Sequence, residues 1–295
     1  MKLDIGVIGY GEVGKTFAVG LKADGLDWFG AWDLKFSEAD TRDAELSHAA
    51  AHGVDACESP AALCSKATLI LSAVTASNTL AVAQEVARHI RPGTYFLDLN
   101  SASPGTKTEA ARLIDAAGGH YVEAGVMTSV PPYGTKVPML LGGAKAQVLA
   151  ELLRPWGLDL TPVSEQIGVA SATKMCRSIM IKGLEALVIE SYTTARHYGV
   201  EKAMLATLKE TFPDIDWEKQ GAYFFSRVAQ HGKRRAEEMR ESANTVREAG
   251  FEPFMAAAIA QKHDWMARHA QQGAFDGLSQ EPSWEQYADR LLQKR

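Results

Sequence analysis

Ile5-Gly6-Val7-Ile8-Gly9-Tyr10-Gly11-Glu12-Val13-Gly14 decides the fold. A short apolar run enters three glycines at G-x-G-x-x-G spacing, and Val13, Phe17 and Leu21 then recur at helical intervals. Strand, turn and helix in that order make a dinucleotide-binding turn, in which each glycine has a mechanical task. Gly9 allows the tight turn, Gly11 lets the backbone of Tyr10 and Glu12 approach a pyrophosphate, and Gly14 lets the helix lie close on the strand. The helix N-terminus then offers unpaired N–H groups and the positive end of its dipole to phosphates.

The same letters permit a second reading. Gly9 to Thr16 spell G-x-x-x-x-G-K-T, the P-loop of nucleotide hydrolases, with Lys15 and Thr16 in the phosphate and magnesium positions. Thr94-Tyr95-Phe96-Leu97-Asp98 supplies an apolar strand ending in the acid such a site requires. Gly11 favours the dinucleotide, because a P-loop has no need of it. Asp33 favours it too. It ends the run Trp28-Phe29-Gly30-Ala31-Trp32 about 20 residues beyond Gly14, where an acid accepts hydrogen bonds from an adenosine ribose.

Downstream, strands are expected at 54–56, 68–73, 95–99, 120–125, 139–141 and 159–162, with helices at 38–52, 77–89, 104–117 and 145–153 between them. Ser59-Pro60 reads as a helix cap with proline in the first helical position. Alternation of this kind predicts an α/β Rossmann domain, a doubly wound and mostly parallel sheet, over residues 1–163. From 164 to 295 only helical patterns follow, at 166–197, 201–211, 217–248, 253–272 and 283–292, with breaks at Pro213, Gly232 and Gly250. An all-α second domain opening on a long interdomain helix is the expectation.

The 295 residues are 46% hydrophobic and 23% charged, an ordinary globular composition. A net charge of −5 argues against a nucleic-acid partner, and no apolar run reaches the length of a membrane helix or forms a leader. Three cysteines, Cys57, Cys64 and Cys176, lack zinc spacing and point to a reduced, cytoplasmic protein. His48 and His52 stand at i and i+4 with no third ligand, so no metal site is expected.

Ligands of an open parallel sheet lie beyond the carboxyl ends of its strands. The loops there carry Asp33-Leu34-Lys35, Val74-Thr75, Asn100-Ser101-Ala102-Ser103 and Met127-Thr128-Ser129, rich in groups that hold polar ligands or merely cap turns. On the long helix Lys174, Ser178 and Lys182 recur every four residues and share a face. A lysine desolvated beside a second cation becomes a usable acid or base near neutral pH; the competing reading is a solvated stripe. Lys233-Arg234-Arg235 likewise reads as an anion-binding cluster or as a helix face paired with Glu237 and Glu238.

Together these stretches resemble the β-hydroxyacid dehydrogenases of the 6-phosphogluconate dehydrogenase type. That family carries its catalytic lysine in G-x-x-x-x-x-K-x-x-x-N, matched here at Gly168 and Lys174 with Ser178 in place of the asparagine. Its acidic-serine-threonine-x-x-proline loop resembles 98–104, and its Asp-Ala-Pro-Val-Ser-Gly-Gly loop resembles Glu123-Ala124-Gly125-Val126-Met127-Thr128-Ser129. Arg234-Arg235-Ala236-Glu237-Glu238-Met239 and Gly250-Phe251-Glu252-Pro253 resemble a branch with its own C-terminal domain of unknown function. The resemblance implies a homodimer and an NAD(P)-dependent oxidoreductase acting on a small hydroxy acid. Lys174 is then the general acid/base, Asn100, Ser101, Ser129 and Ser178 bind substrate, Lys182 tunes Lys174 or binds an anionic group, and Arg234 binds substrate. NADP-using relatives place Asn-Arg where this chain has Asp33-Leu34, so NAD is the expected cofactor, with NADP possible through Lys35. Imine reduction, a P-loop hydrolase and a cofactor-binding protein without catalysis remain the alternatives.

Overall fold

The computed structural model describes residues 3–293. One eight-stranded sheet runs in the order β3-β2-β1-β4-β5-β6-β7-β8. Its strands are β1 (Ile5–Ile8), β2 (Phe29–Trp32), β3 (Asp55–Ala56), β4 (Leu69–Ser72), β5 (Tyr95–Asp98), β6 (His120–Val126), β7 (Met139–Gly142) and β8 (Leu160–Ser164). Every neighbouring pair is parallel except β6 and β7. The central strands Ile-Gly-Val-Ile, Leu-Ile-Leu-Ser and Tyr-Phe-Leu-Asp are buried throughout, as strands with both faces covered must be. β1 lies between β2 and β4, so the strand order reverses beside it and opens the crevice where such sheets bind ligands.

Helices α1 (Glu12–Ala23), α2 (Arg42–Ala51), α3 (Pro60–Lys66), α4 (Thr79–Ala87), α5 (Pro104–Ala116) and α6 (Ala146–Leu153) make the crossovers. The serines before Pro60 and Pro104 cap their helices, Ser59 accepting from Ala62 N–H and Ser103 from Thr106 N–H. α2 begins at Arg42, inside the 38–52 expectation, and α4 begins at Thr79 behind a 3-10 turn at Ala76–Asn78.

α7 (Val169–Tyr198) starts later than the expected 166. Gly168, at φ +103°, cannot continue a right-handed helix upstream, and the Glu123 carboxylate of β6 accepts Gly168 N–H at 2.7 Å and Ala170 N–H at 3.1 Å. The cap therefore comes from a residue far away in sequence. α8 (Glu201–Thr211), α9 (Trp217–Glu248), α10 (Phe254–Gln271) and α11 (Trp284–Gln293) follow. The break expected at Gly232 falls on His231, whose φ of −129° and ψ of 15° kink α9. Gly232 instead gives α10 room, since a Cβ there would stand 2.9 Å from His263 O.

Contacts divide the chain into two compact units between Met175 and Cys176, while the change from strands to helices falls near 164. The first unit has an apolar cluster on each face of the sheet. The second has one around Tyr192, Phe225, Trp284 and Tyr287 and another around Met239 and Ile259. Between its helices it also buries charge. Glu185 is gripped by both guanidinium arms of Arg235, Nε at 2.8 Å from Oε2. Fully buried His263 places Nε2 3.6 Å from Glu185 Oε2, too far for a hydrogen bond, and neither ring nitrogen completes one among the described residues. Burial first, then the charges of Arg235 and Lys182, lower the His263 pKa to about 3, while burial raises that of Glu185.

Between about pH 6.5 and 3 the unfolded chain thus takes a proton at His263 that the folded chain refuses, and stability falls with pH. Glu185 acts in the opposite sense, through a window that starts above 4.5. In urea unfolding from pH 6 down to pH 5, the wild type is expected to lose about 1.4 kcal/mol per pH unit relative to His263→Leu. Parallel stability curves for the two proteins would refute the assignment.

Candidate active site

The glycines of the turn divide by what surrounds them. Gly9 holds φ +99°, and a Cβ there would strike the carbonyl of Ala73. A Cβ on Gly14 would strike the carbonyl of Gly9. Both glycines are demanded by the fold. Gly11 is extended, caps α1 without a side chain, and has nothing within 4 Å of where its Cβ would be. Packing gives no reason for glycine there; an approaching ligand backbone or phosphate does. The open N-terminus of α1 beside it suits an anion, so this part of the chain fits a dinucleotide's pyrophosphate.

Asp33 follows β2 and shapes the neighbouring wall. Its Oδ2 accepts Tyr10 N–H at 2.6 Å and its Oδ1 accepts Lys35 N–H at 3.0 Å, capping a 3-10 turn at Leu34–Phe36. Each oxygen has one lone pair left for a ribose hydroxyl. Tyr10 turns its side chain into the core against Phe36, with its hydroxyl 3.0 Å from His48 Nδ1, and burial pushes its pKa up to about 12. Its share in the turn is therefore backbone. Glu12 is exposed and Val13 packs on the core.

The P-loop reading finds its residues engaged elsewhere. Lys15 pairs with Glu45 at 2.6 Å, and Thr16 Oγ1 donates to Glu12 O. Asp98 is fully buried and pairs with Lys107 at 2.9 Å.

Beyond the ends of β4 and β5 the loops are tied together. Asn100 Oδ1 accepts Val74 N–H at 2.7 Å and its Nδ2 donates to Ser72 Oγ at 2.9 Å. Asn100, expected from the sequence as a substrate ligand, is 3% exposed and spends its amide holding the two loops. Thr75 is exposed and takes a hydrogen bond from Asn78 Nδ2. Ser101, one residue on, accepts a hydrogen bond from Lys174 Nζ at 2.6 Å. Two features bring half-buried Lys174 there: the Glu123 cap sets the start of α7, and Gly125 lets the helix press on β6. A Cβ on Gly125 would stand 2.9 Å from Ala170 O and 3.5 Å from Lys174 Cβ. Ser129 is half-buried in the loop after β6. In the second unit Lys182 Nζ donates to Ser178 Oγ at 3.2 Å and pairs with Glu238 at 2.8 Å. Glu238 also faces Arg234 at 3.9 Å, whereas Arg235 belongs to Glu185.

Sequence reasoning passed over Lys107, Tyr121 and the capping role of Glu123. Nothing local marks them, because their partners are supplied by other elements.

Comparison with known proteins identifies the family. Residues 4–154 match the NAD binding domain of 6-phosphogluconate dehydrogenase, and 195–266 match a domain of unknown function, DUF1932. A conserved hypothetical protein from Sinorhizobium meliloti 1021 is 37% identical, with 100% of this chain and 97% of that one covered and a TM-score of 0.78. A conserved protein of unknown function, noted for structural similarity with 3-hydroxyacid dehydrogenases, is 30% identical over 92% of this chain and 99% of its own, with a TM-score of 0.70. Mycobacterium tuberculosis 3-hydroxyisobutyrate dehydrogenase shares the fold at 16% identity, with 99% of each chain covered and a TM-score of 0.73. The chain belongs to the 6-phosphogluconate dehydrogenase-type family of NAD(P)-dependent dehydrogenases and reductases, in the branch whose second domain is DUF1932.

Proposed function

We propose that this enzyme oxidises a small polar hydroxy acid, or reduces the corresponding oxo acid, with Lys174 as its general acid and base. The observation that carries this reading is the 2.6 Å bond from Lys174 Nζ to Ser101 Oγ, beyond the carboxyl end of β5. When bound, the nicotinamide supplies the hydride acceptor or donor. The protein's own task is to handle the accompanying proton and to hold the reactant. In oxidation neutral Lys174 takes the carbinol proton; in reduction its ammonium returns a proton to the oxygen. Ser101 fixes the direction of the amine, and Ser129 offers a hydroxyl to the substrate carboxylate. Asn100 braces the loops rather than touching substrate. In the helical unit, Lys182 and Arg234, sharing Glu238 and flanked by Ser178, form a cationic group suited to an anion.

For the cofactor, Gly9, Gly11, Gly14 and the backbone of Tyr10, Glu12 and Val13 hold the pyrophosphate. Asp33 and Lys35 hold the adenosine ribose, and Val74 and Thr75 line the crevice beyond. The Asp33 carboxylate accepts from a 2′-hydroxyl and repels a 2′-phosphate, so NAD is preferred over NADP. A reducing cytoplasm suits Cys57 and Cys64, whose thiols burial pushes up to about 11 and 12. Met180, Leu184 and Leu187 of α7 are 66%, 37% and 56% exposed at helical spacing, an apolar stripe for a second copy of the chain.

Three outcomes test these assignments. Gly11→Ala is expected to unfold like the wild type while NADH binding, followed by tryptophan quenching, weakens at least about tenfold, an effect of about 1.4 kcal/mol; Gly14→Ala should lose stability outright. Unimpaired NADH binding by Gly11→Ala would remove the pyrophosphate from this turn. Across a panel of 3-hydroxy and 3-oxo acids followed by NADH absorbance, Lys174→Met should cost about 10²–10⁴ in turnover with cofactor binding retained. Full turnover by that variant would end the acid–base role, and wild-type turnover only with mixtures of carbonyl compound and amine would move the reaction to imine reduction. Sedimentation should show a dimer that Leu187→Glu dissociates; a wild-type monomer would contradict the stripe's assignment.

A further inference from the structure

Beneath the loop that carries Ser101 lies a lysine with no exposure to solvent. Lys107, in the first turn of α5, is 0% exposed. Its Nζ donates to the Asp98 carbonyl oxygen at 3.0 Å and stands 2.9 Å from Asp98 Oδ1. The same carboxylate accepts Asn100 N–H at 2.9 Å on Oδ1 and the Tyr121 hydroxyl at 2.6 Å on Oδ2. Burial and the Asp98 charge hold the Tyr121 pKa well above its ordinary value, so that hydroxyl stays a donor. Groups from α5, β6 and the loop after β5 thus converge on one anion at the end of β5.

As a source of stability this arrangement is a poor choice. Desolvating an ammonium and a carboxylate offsets much of their attraction, and apolar side chains of equal volume often serve a core as well or better. What apolar side chains cannot supply is direction. The Lys107–Asp98 pair turns the Asp98 carboxylate to meet Asn100 N–H, and Asn100 then reaches Ser72 and Val74 across the strand ends. The next residue is Ser101, the acceptor for Lys174.

We propose that Lys107 is a positioning residue: through Asp98 and Asn100 it sets the backbone that presents Ser101 to Lys174 and holds the Val74 N–H. The functional meaning rests on the reading of Lys174 as the reacting amine, but the positioning itself is measurable without any substrate. Trace acetylation with acetic anhydride over a pH series, read by mass spectrometry, reports the reactivity and titration of each lysine in the folded protein. Lys107→Met is expected to raise the acetylation rate of Lys174 about fivefold, the factor one ordinary hydrogen bond supplies. It should also displace the pH dependence at Lys174, with exposed Lys209 unchanged. Asn100→Ala keeps the N–H that Asp98 accepts but removes the side-chain ties to Val74 and Ser72 at the far end of the same path; it should reproduce the rise, and it decides the matter if Lys107→Met does not fold. Either folded variant leaving Lys174 at the wild-type rate and pH dependence overturns the proposal. A wild-type enzyme that transfers no hydride would defeat the functional reading while leaving this result intact.

Discussion

The carboxylate of Glu123 decides where Lys174 can stand. Reaching from β6 to the amides of Gly168 and Ala170, it places a negative charge on the first turn of α7 and satisfies donors that would otherwise be orphaned. A charged acceptor on a buried N–H contributes roughly 1.5–3 kcal/mol per bond, enough to choose one start for the helix over its neighbours. Glycine on either side makes this possible. Gly142 leaves the carboxylate its space, since a Cβ there would come within 2.5 Å of Glu123 Oε1, and Gly125 lets α7 settle on the strand. With the helix start and its distance from the sheet both set, the amine of Lys174 meets the loop after β5.

That loop is itself constrained from beneath. Asp98 gathers Lys107, Tyr121 and Asn100, and Asn100 passes the constraint to the loop after β4. Along the other arm of the crevice, Asp33 does comparable work by joining the turn at Tyr10 to the one at Lys35. Two buried or half-buried acids at strand ends therefore hold the walls, and the N-terminus of α1 stays open between them.

Much of this was legible in the letters. Continuous apolar runs marked β1, β4 and β5, and the Ser59-Pro60 pair marked α3, because burial on both faces and helix capping are local demands. Glycine spacing announced the turn. A family resemblance picked out Lys174 and the 98–104 loop separately, and the bond between them had no mark in the sequence. What stayed hidden was set by distant partners. Glu123 and Gly168 are far apart in sequence, so the delayed start of α7 had no local mark. Lys107 reads as one more polar residue of an amphipathic helix until the fold buries it against Asp98. Asn100 was expected to face a substrate, and turned inward because two strand ends needed joining.

If the Gly9–Gly14 turn and Lys174 serve one reaction, the cofactor lies in the crevice of the sheet. A crystal structure of the full chain with NADH tests it directly. The pyrophosphate is expected against the backbone at Gly11 and the α1 N-terminus, the ribose hydroxyls on Asp33, and the nicotinamide ring beside the Lys174 amine. A dinucleotide bound away from Gly11, or a nicotinamide ring remote from Lys174 in every protomer, would contradict it.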